Sequence, residues 1–246
     1  MFAKRFAIPA IASAGIVVTL GFQAARAPED PLIAGFRKTT VASVSDAVDQ
    51  ITGKRGYLNH DMSQQTPGRV VGRAVTALLR PAPNPADSTP ATAIKHPVAM
   101  IDEAKPGEVG VIVVENGLDM TGLGGLMATA AKARGMAGVI VDGSVRDVEE
   151  IRGLGLPVFA RGRIPATAVG RYLSVSRNEP VLCAGVTISP GDIVVAGEDG
   201  VVAVPKDRAA EVLKRAQEID DRETKMVPFI KKFQSLTKAI EVFNRI

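Results

Sequence analysis

The chain alternates between short Val- and Ile-rich runs and Ala-rich amphipathic stretches, and this pattern fixes most of the elements. Residues 41–51 (VASVSDAVDQI) place Val41, Val44, Ala47, Val48 and Ile51 on one face at a period of 3.6, which predicts a helix with Thr40 as N-cap. Residues 69–79 (RVVGRAVTALL) are β-branched and predict a strand, with Gly72 as a bulge. Residues 98–101 predict a short strand, and residues 109–114 (VGVIVV) a strand buried on both faces. A Gly-rich loop follows, then an Ala-rich helix over residues 126–134 that ends at Gly135, then a strand over residues 138–141 (GVIV). Residues 109–141 therefore read as a βαβ unit. Further strands are expected at 156–160, 181–188, 193–196 and 201–204. The same Pro-Gly-acid turn precedes a Val-rich strand at Pro106 and at Pro190. From Asp207 the chain reads as helical and charged, interrupted at Pro228, with Val212, Leu213, Ala216 and Ile219 as one apolar stripe.

The first 27 residues stand apart. They carry Lys4, Arg5 and Arg26, no acid, an apolar run from Phe6 to Gln23, and small residues at Ala25 and Ala27. This is the layout of an export signal, although Pro28 is unfavourable just after a cut. An uncleaved membrane anchor is the alternative, since the run nearly spans a bilayer. The expected location is periplasmic or secreted, with a membrane-anchored or cytoplasmic protein as alternatives. Residues 28–38 read as a linker, and residues 39–246 as one domain with C-terminal helices from about residue 207.

Composition narrows the chemistry. With 46% hydrophobic and 23% charged residues over 246 positions, the chain can bury a core. One Cys excludes an internal disulfide framework and a cysteine zinc cluster, and two His exclude a three-His metal site. The formal charge of +4 falls to +1 once residues 1–27 are set aside, so it does not mark a nucleic-acid surface. Cys183, within VLCAG, reads as a small buried hydrophobe. His60 reads as a loop hydrogen-bonding residue and His96, before Pro97, as a strand-entry residue.

Ligands of open α/β sheets bind where parallel strands end. Here those ends lead into residues 115–125 and 142–150. The first loop is Gly-rich and runs into a helix N-terminus, where free N–H groups suit a carboxylate or phosphate. The second carries Arg146 and Asp147, a guanidinium for a planar oxyanion and a carboxylate for a hard cation. An ordinary surface ion pair is the competing reading. A dinucleotide fingerprint fits poorly, because Met127 stands where the last Gly is needed.

The stretch GGLMATAAKARGMAGVIVDGSVRD, then LPVFARG, then CAGVTISPGDIVVAGEDGVVAVP, together with SDAVD and RVVGRAVT, resembles the RraA-like family over roughly residues 40–223. That resemblance implies an α/β fold, the β/β/α swivelling-domain sandwich, here with a central βαβ unit and a C-terminal helical segment. It implies homotrimers or hexamers, and a class II 4-hydroxy-4-methyl-2-oxoglutarate aldolase or oxaloacetate decarboxylase using Mg²⁺ or Mn²⁺ on a pyruvyl (2-oxo acid) substrate. By the same resemblance Arg146 binds the pyruvyl group, Asp147 holds the metal, and the Gly124-Gly125-Leu126-Met127 turn takes the carboxylate through the Leu126 and Met127 amides. Glu223, or second Glu218, would reach the site from a neighbouring subunit. The family's aldolases have an acid twenty-one positions before the Arg, where this chain has Gly125, so the metal site should be weaker. Asp119, Glu115 or Asp142 could stand in. Gly197 departs from the usual Asp as well. The family also contains a non-catalytic endoribonuclease regulator, and many relatives carry the label dimethylmenaquinone methyltransferase; the Arg146-Asp147 pair disfavours the former and no methyl-donor motif supports the latter.

Overall fold

The computed structural model describes residues 30–244. The expected export signal at residues 1–27 lies outside them. Among the described residues no helix is long and apolar enough to cross a membrane.

The chain opens with helices α1 (Pro31–Phe36) and α2 (Val41–Thr52), then strands β1 (Ser63–Thr66) and β2 (Val70–Pro81). After a 3₁₀ turn come α3 (Pro90–Ala93), α4 (Lys95–Glu103), β3 (Val109–Val114), β4 (Thr121–Leu123), α5 (Gly125–Ala133), β5 (Gly138–Val145), α6 (Val148–Leu154) and β6 (Val158–Arg163). Strands β7 (Tyr172–Arg177), β8 (Val181–Cys183), β9 (Val186–Ile188), β10 (Ile193–Gly197) and β11 (Gly200–Val204) follow, then α7 (Ala209–Phe233) and α8 (Leu236–Phe243).

The fold is mixed α/β. The main sheet runs β1-β6-β5-β3-β2-β10-β11. Its centre, β6-β5-β3-β2, is parallel, and β1, β10 and β11 are antiparallel. The expected βαβ unit is present as β3–α5–β5. Strand β3 is buried at every position, as its unbroken Val/Ile pattern requires. Strand β2 shares one edge between β10, along residues 70–73, and β7, along residues 77–81.

Three apolar layers hold this frame together. One face of the sheet packs Ile112, Val139 and Val141 against α4, α5 and α6. The other face packs Val111, Ile140 and Phe159 against the β8–β9 hairpin. Strands β10 and β11 carry α1, α2 and α7, where Val212, Ala216 and Ile219 of the expected stripe are buried. Thr40 caps α2 as expected, accepting from the Ser43 N–H at 3.1 Å.

Several expectations need correction. Residues 31–36 are helical, not linker, because Asp30 caps the turn and Phe36 is fully buried. Residues 98–101 lie within α4, not in a strand. Pro97 sits in that helix's first turn, where its missing N–H costs nothing, and Pro97, Met100 and Ile101 are buried at helical spacing. His96 is therefore a first-turn residue whose N–H donates to Ser174 Oγ at 2.8 Å. Residues 181–188 form two strands, because Ala184 and Gly185 both adopt positive φ (42° and 87°) and reverse the chain. Helix α7 passes through Pro228 instead of breaking, and its far half packs Phe229 at a tilt against Phe233 and edge-on against Phe243 of α8 (ring centroids 4.6 and 5.7 Å apart). Gly72 is in regular register opposite Val194, so it is no bulge. Strands β1 and β7 and helix α6 had no counterpart in the pattern.

Cys183 is fully buried, and burial, reinforced by the Asp142 carboxylate, pushes its thiol well up. A thiolate-specific disulfide reagent is therefore expected to leave the native protein unlabelled at pH 8 while modifying one thiol per chain in denaturant. Rapid stoichiometric labelling without denaturant would contradict the burial.

Candidate functional site

The site forms where β4 and β5 deliver the chain to α5 and α6. Strand β5 extends to Val145, farther than expected, since Gly143 (φ 147°) absorbs a register shift against β6. Arg146 and Asp147 then turn the chain into α6. Asp147 adopts the left-handed region (φ 55°), rare outside Gly but tolerated by Asp, and serves as the N-cap position of α6.

Opposite lies the N-terminus of α5. Gly124 occupies the N-cap and has no side chain to cap the helix. Asp147 Oδ2 accepts from the Gly125 N–H at 2.9 Å, which ties the two helix starts together. The amides of Leu126 and Met127, next in the first turn, find no acceptor among the described residues. They are orphan donors at the positive end of a helix.

Arg146 Nε is buried and has no hydrogen-bond acceptor among the described residues. It lies 3.5 Å from Asp147 Oδ2, close enough for attraction but without hydrogen-bond geometry. An unsatisfied buried donor of this kind is costly unless a ligand completes it. The structure thus brings Gly124, Gly125, Arg146 and Asp147 together, with Leu126 and Met127 alongside. Two free amides and a guanidinium can hold an anionic planar group, and the Asp147 carboxylate can hold a hard cation.

Other expected participants fall elsewhere. Asp142 points to the opposite face of the sheet, where it accepts from the Ala184 N–H (2.6 Å) and pairs with Arg161 (3.1 Å). Glu115 pairs with Arg80 at 3.0 Å. Asp142, Glu115 and Asp119 line one cavity of about 720 Å³ that Arg146 and Asp147 do not line, so none of these acids replaces a carboxylate at position 125. Burial opposes the charge of Arg161, but its hydrogen bonds to Asp61 and Asp142 hold its pKa above the ordinary value. Glu223 lies on α7, which packs mainly on α2, α1 and α8, and Glu218 is paired with Arg215 at 3.1 Å. Neither is joined to the Arg146–Asp147 turn within this chain. Gly197 ends β10 against Val41, where an added Cβ would come within 3.1 Å of the Val41 side chain. His60 is exposed in the turn before β1.

One residue escaped the sequence pattern. Glu150, in the first turn of α6, places its carboxylate directly over Gly125. The available signal was its spacing of three from Asp147, which shares a face only once α6 is recognised as a helix.

Comparison with known proteins identifies the family. The family model RraA-like (Aldolase/RraA) matches residues 41–203. A protein of Halalkalibacterium halodurans, provisionally named a 4-hydroxy-4-methyl-2-oxoglutarate aldolase, is 31% identical over 193 residues, 77% of this chain and 83% of that protein. An uncharacterised protein of Methanocaldococcus jannaschii is 36% identical over 135 residues, 54% of this chain and 64% of that protein. Among solved structures, an uncharacterised Pseudomonas syringae protein superposes with a TM-score of 0.73 at 31% identity, covering 85% of this chain and 96% of that one. Streptomyces coelicolor RraAS2, described as an unusual member of the RNase ES inhibitor RraA family, gives 0.70 at 28%, covering 80% and 96%. With the matched segment running from α2 into β11 and taking in the Arg146–Asp147 turn, the chain belongs to the RraA-like (Aldolase/RraA) family.

Proposed function

We propose that the protein is a divalent-metal-dependent lyase that cleaves a C–C bond in pyruvyl substrates, of the 4-hydroxy-4-methyl-2-oxoglutarate aldolase or oxaloacetate decarboxylase type. The observation that carries this reading is the convergence of three unsatisfied or partly satisfied groups: the orphan Arg146 Nε, the free first-turn amides of α5, and the Asp147 carboxylate. Together they match the carboxylate, the 2-oxo oxygen and the cation that such a substrate brings.

The donor set fits Mg²⁺ or Mn²⁺. Among the described residues no three His, Cys, Asp or Glu cluster as a metal cage. Mg²⁺ commonly binds through one or two carboxylates, with water and substrate filling the remaining positions. Asp147 would hold it through the oxygen that Gly125 leaves free. When bound, the cation supplies Lewis-acid polarisation of the 2-oxo group.

The chain's own residues then divide the work. The Leu126 and Met127 amides bind the substrate carboxylate at the helix end. Arg146 donates to the 2-oxo oxygen, and this bond strengthens as the C3–C4 bond breaks and its electron pair passes into the enolate of pyruvate. In aldol cleavage the 4-hydroxyl gives up its proton as the second carbonyl forms, and the enolate takes a proton at C3. In decarboxylation CO₂ leaves in place of the carbonyl product. Assembly as a trimer or hexamer would bring Glu223 of a neighbouring copy to the site as a proton acceptor.

Pyruvate release from oxaloacetate or the aldol substrate tests the reading. Turnover is expected with Mg²⁺ or Mn²⁺, to be abolished by EDTA and restored by added metal. Folded, metal-supplemented protein that turns over neither substrate would overturn it.

A further inference from the structure

The reading above uses the amides of Leu126 and Met127 and leaves their side chains without a role. The fold treats the two differently. Met127 packs onto the core beneath α5. Leu126 is 87% exposed, the highest value for a large apolar side chain among the described residues. Single exposed apolar side chains are ordinary on a surface, so the place of Leu126 carries the weight.

Leu126 follows Gly124 and Gly125 at the start of α5. In a helix every Cα–Cβ bond leans toward the N-terminus, so the Leu126 side chain stands over the helix end that offers its free amides. Gly124 and Gly125 have no side chain to cover that end. The other groups that meet there are polar: the Arg146 Nε, the Asp147 carboxylate, and the Glu150 carboxylate over Gly125. Leu126 therefore adds an apolar wall to a site otherwise built from charge and backbone.

A pyruvyl substrate held as described has its C1 carboxylate at the two amides and its 2-oxo oxygen at Arg146. Its C4 lies three bonds from C1, about the 3.8 Å that spans two neighbouring α-carbons, which is within the reach of a leucine side chain. In 4-hydroxy-4-methyl-2-oxoglutarate, C4 carries a hydroxyl, a carboxylate and a methyl group. Of these only the methyl gains from an apolar neighbour. Oxaloacetate has no such group.

We propose that Leu126 is a specificity-determining residue, whose side chain packs on the C4 methyl and selects the branched, methyl-bearing substrate over unbranched 2-oxo acids. This rests on the lyase reading above. One apolar group in a closed pocket is worth about 10- to 200-fold in kcat/KM, and a wall on one side belongs at the low end of that range.

Two substrates that differ only in the methyl test it: 4-hydroxy-4-methyl-2-oxoglutarate, which splits into two pyruvates, and 4-hydroxy-2-oxoglutarate, which splits into pyruvate and glyoxylate. Both use the same amides and Arg146, so the ratio of their kcat/KM values isolates the methyl contact. The full chain with Mg²⁺ is expected to favour the methyl-bearing substrate about tenfold. Leu126→Ala and the similarly shaped Leu126→Asn should bring the ratio near one, with melting temperature and oligomeric state unchanged. Leu126→Met should keep most of the preference. If the wild type shows no preference, or Leu126→Asn retains it, the role of Leu126 is refuted and the lyase reading stands. If the wild type turns over neither substrate, both readings fall. If Leu126→Ala shrinks the assembly seen by size-exclusion chromatography and leaves the ratio as it was, Leu126 serves only as a contact between copies, and the proposal is overturned.

Discussion

Replacing Asp147 with Asn is expected to lower pyruvate release about a thousandfold at saturating Mg²⁺, with melting temperature held within a few degrees. The substitution keeps the side chain's size and its acceptor for the Gly125 N–H, and removes only the charge. A neutral amide oxygen is a far weaker ligand for a hard cation, so the loss falls on the metal and on the charge it would stabilise. Arg146→Ala should cost a comparable factor by a different route. Its buried Nε has no acceptor among the described residues, so truncation breaks no hydrogen bond of the resting protein. In the proposed mechanism the bond it removes is the one formed as charge builds on the substrate oxygen, and single donors of that kind are worth about 10²–10³ in rate. The loss should therefore appear in kcat more than in KM. Equal activity of Asp147→Asn and wild type under these conditions would remove the metal role from Asp147.

The second large effect is structural. Gly72→Ala is expected to destabilise the protein by about 3 kcal/mol, roughly 6–12 °C in a domain of this size. Gly72 lies in β2 opposite Val194, and an added Cβ would sit 2.2 Å from the Gly107 carbonyl oxygen and 2.9 Å from Val109 Cγ2. The Gly107 turn cannot retreat freely. Its N–H donates to the Gly135 carbonyl at 2.8 Å, and the next carbonyl, of Glu108, accepts from the Ala137 N–H at 2.8 Å. Any shift thus pulls at the end of α5 and the start of β5. Gly153→Ala is the matched control: it lies exposed within α6, with open space around its Cβ position, and should be neutral or gain up to about 1 kcal/mol. Thermal denaturation of both variants decides the point, and a Gly72→Ala protein as stable as wild type would contradict the close approach.

Local pattern was enough for the elements whose signal is continuous. VGVIVV is a strand on any reading, because every residue is apolar and β-branching or small size suits a strand covered on both faces. Thr40 and the 3.6-residue spacing after it specify α2 without tertiary help. The same is true of the Gly-rich entry to α5 and of Arg146-Asp147 at the end of β5, so the residues of the proposed anion-binding end were visible in the chain itself.

What the chain could not reveal depends on contacts between distant segments. Residues 98–101 are too few to show a period, and only burial of Pro97, Met100 and Ile101 together makes them helical. Pro228 is a helix breaker in isolation, yet α8 returns across the far half of α7 and the Phe229–Phe233–Phe243 cluster holds it. Asp142 and Asp147 are five residues apart and both acidic. The shift at Gly143 and the left-handed turn at Asp147 decide that one faces Arg161 across the sheet and the other faces α5. Gly125 reads in sequence as a missing acid. In three dimensions it is the space in which Glu150 rests, because the starts of α5 and α6 meet. By itself the sequence determined the elements whose apolar signal is continuous or periodic and which residue types the candidate site would own. The tertiary structure alone decided which carboxylates share that site, because side-chain direction at a strand end is set by single-residue backbone turns that leave no periodic trace.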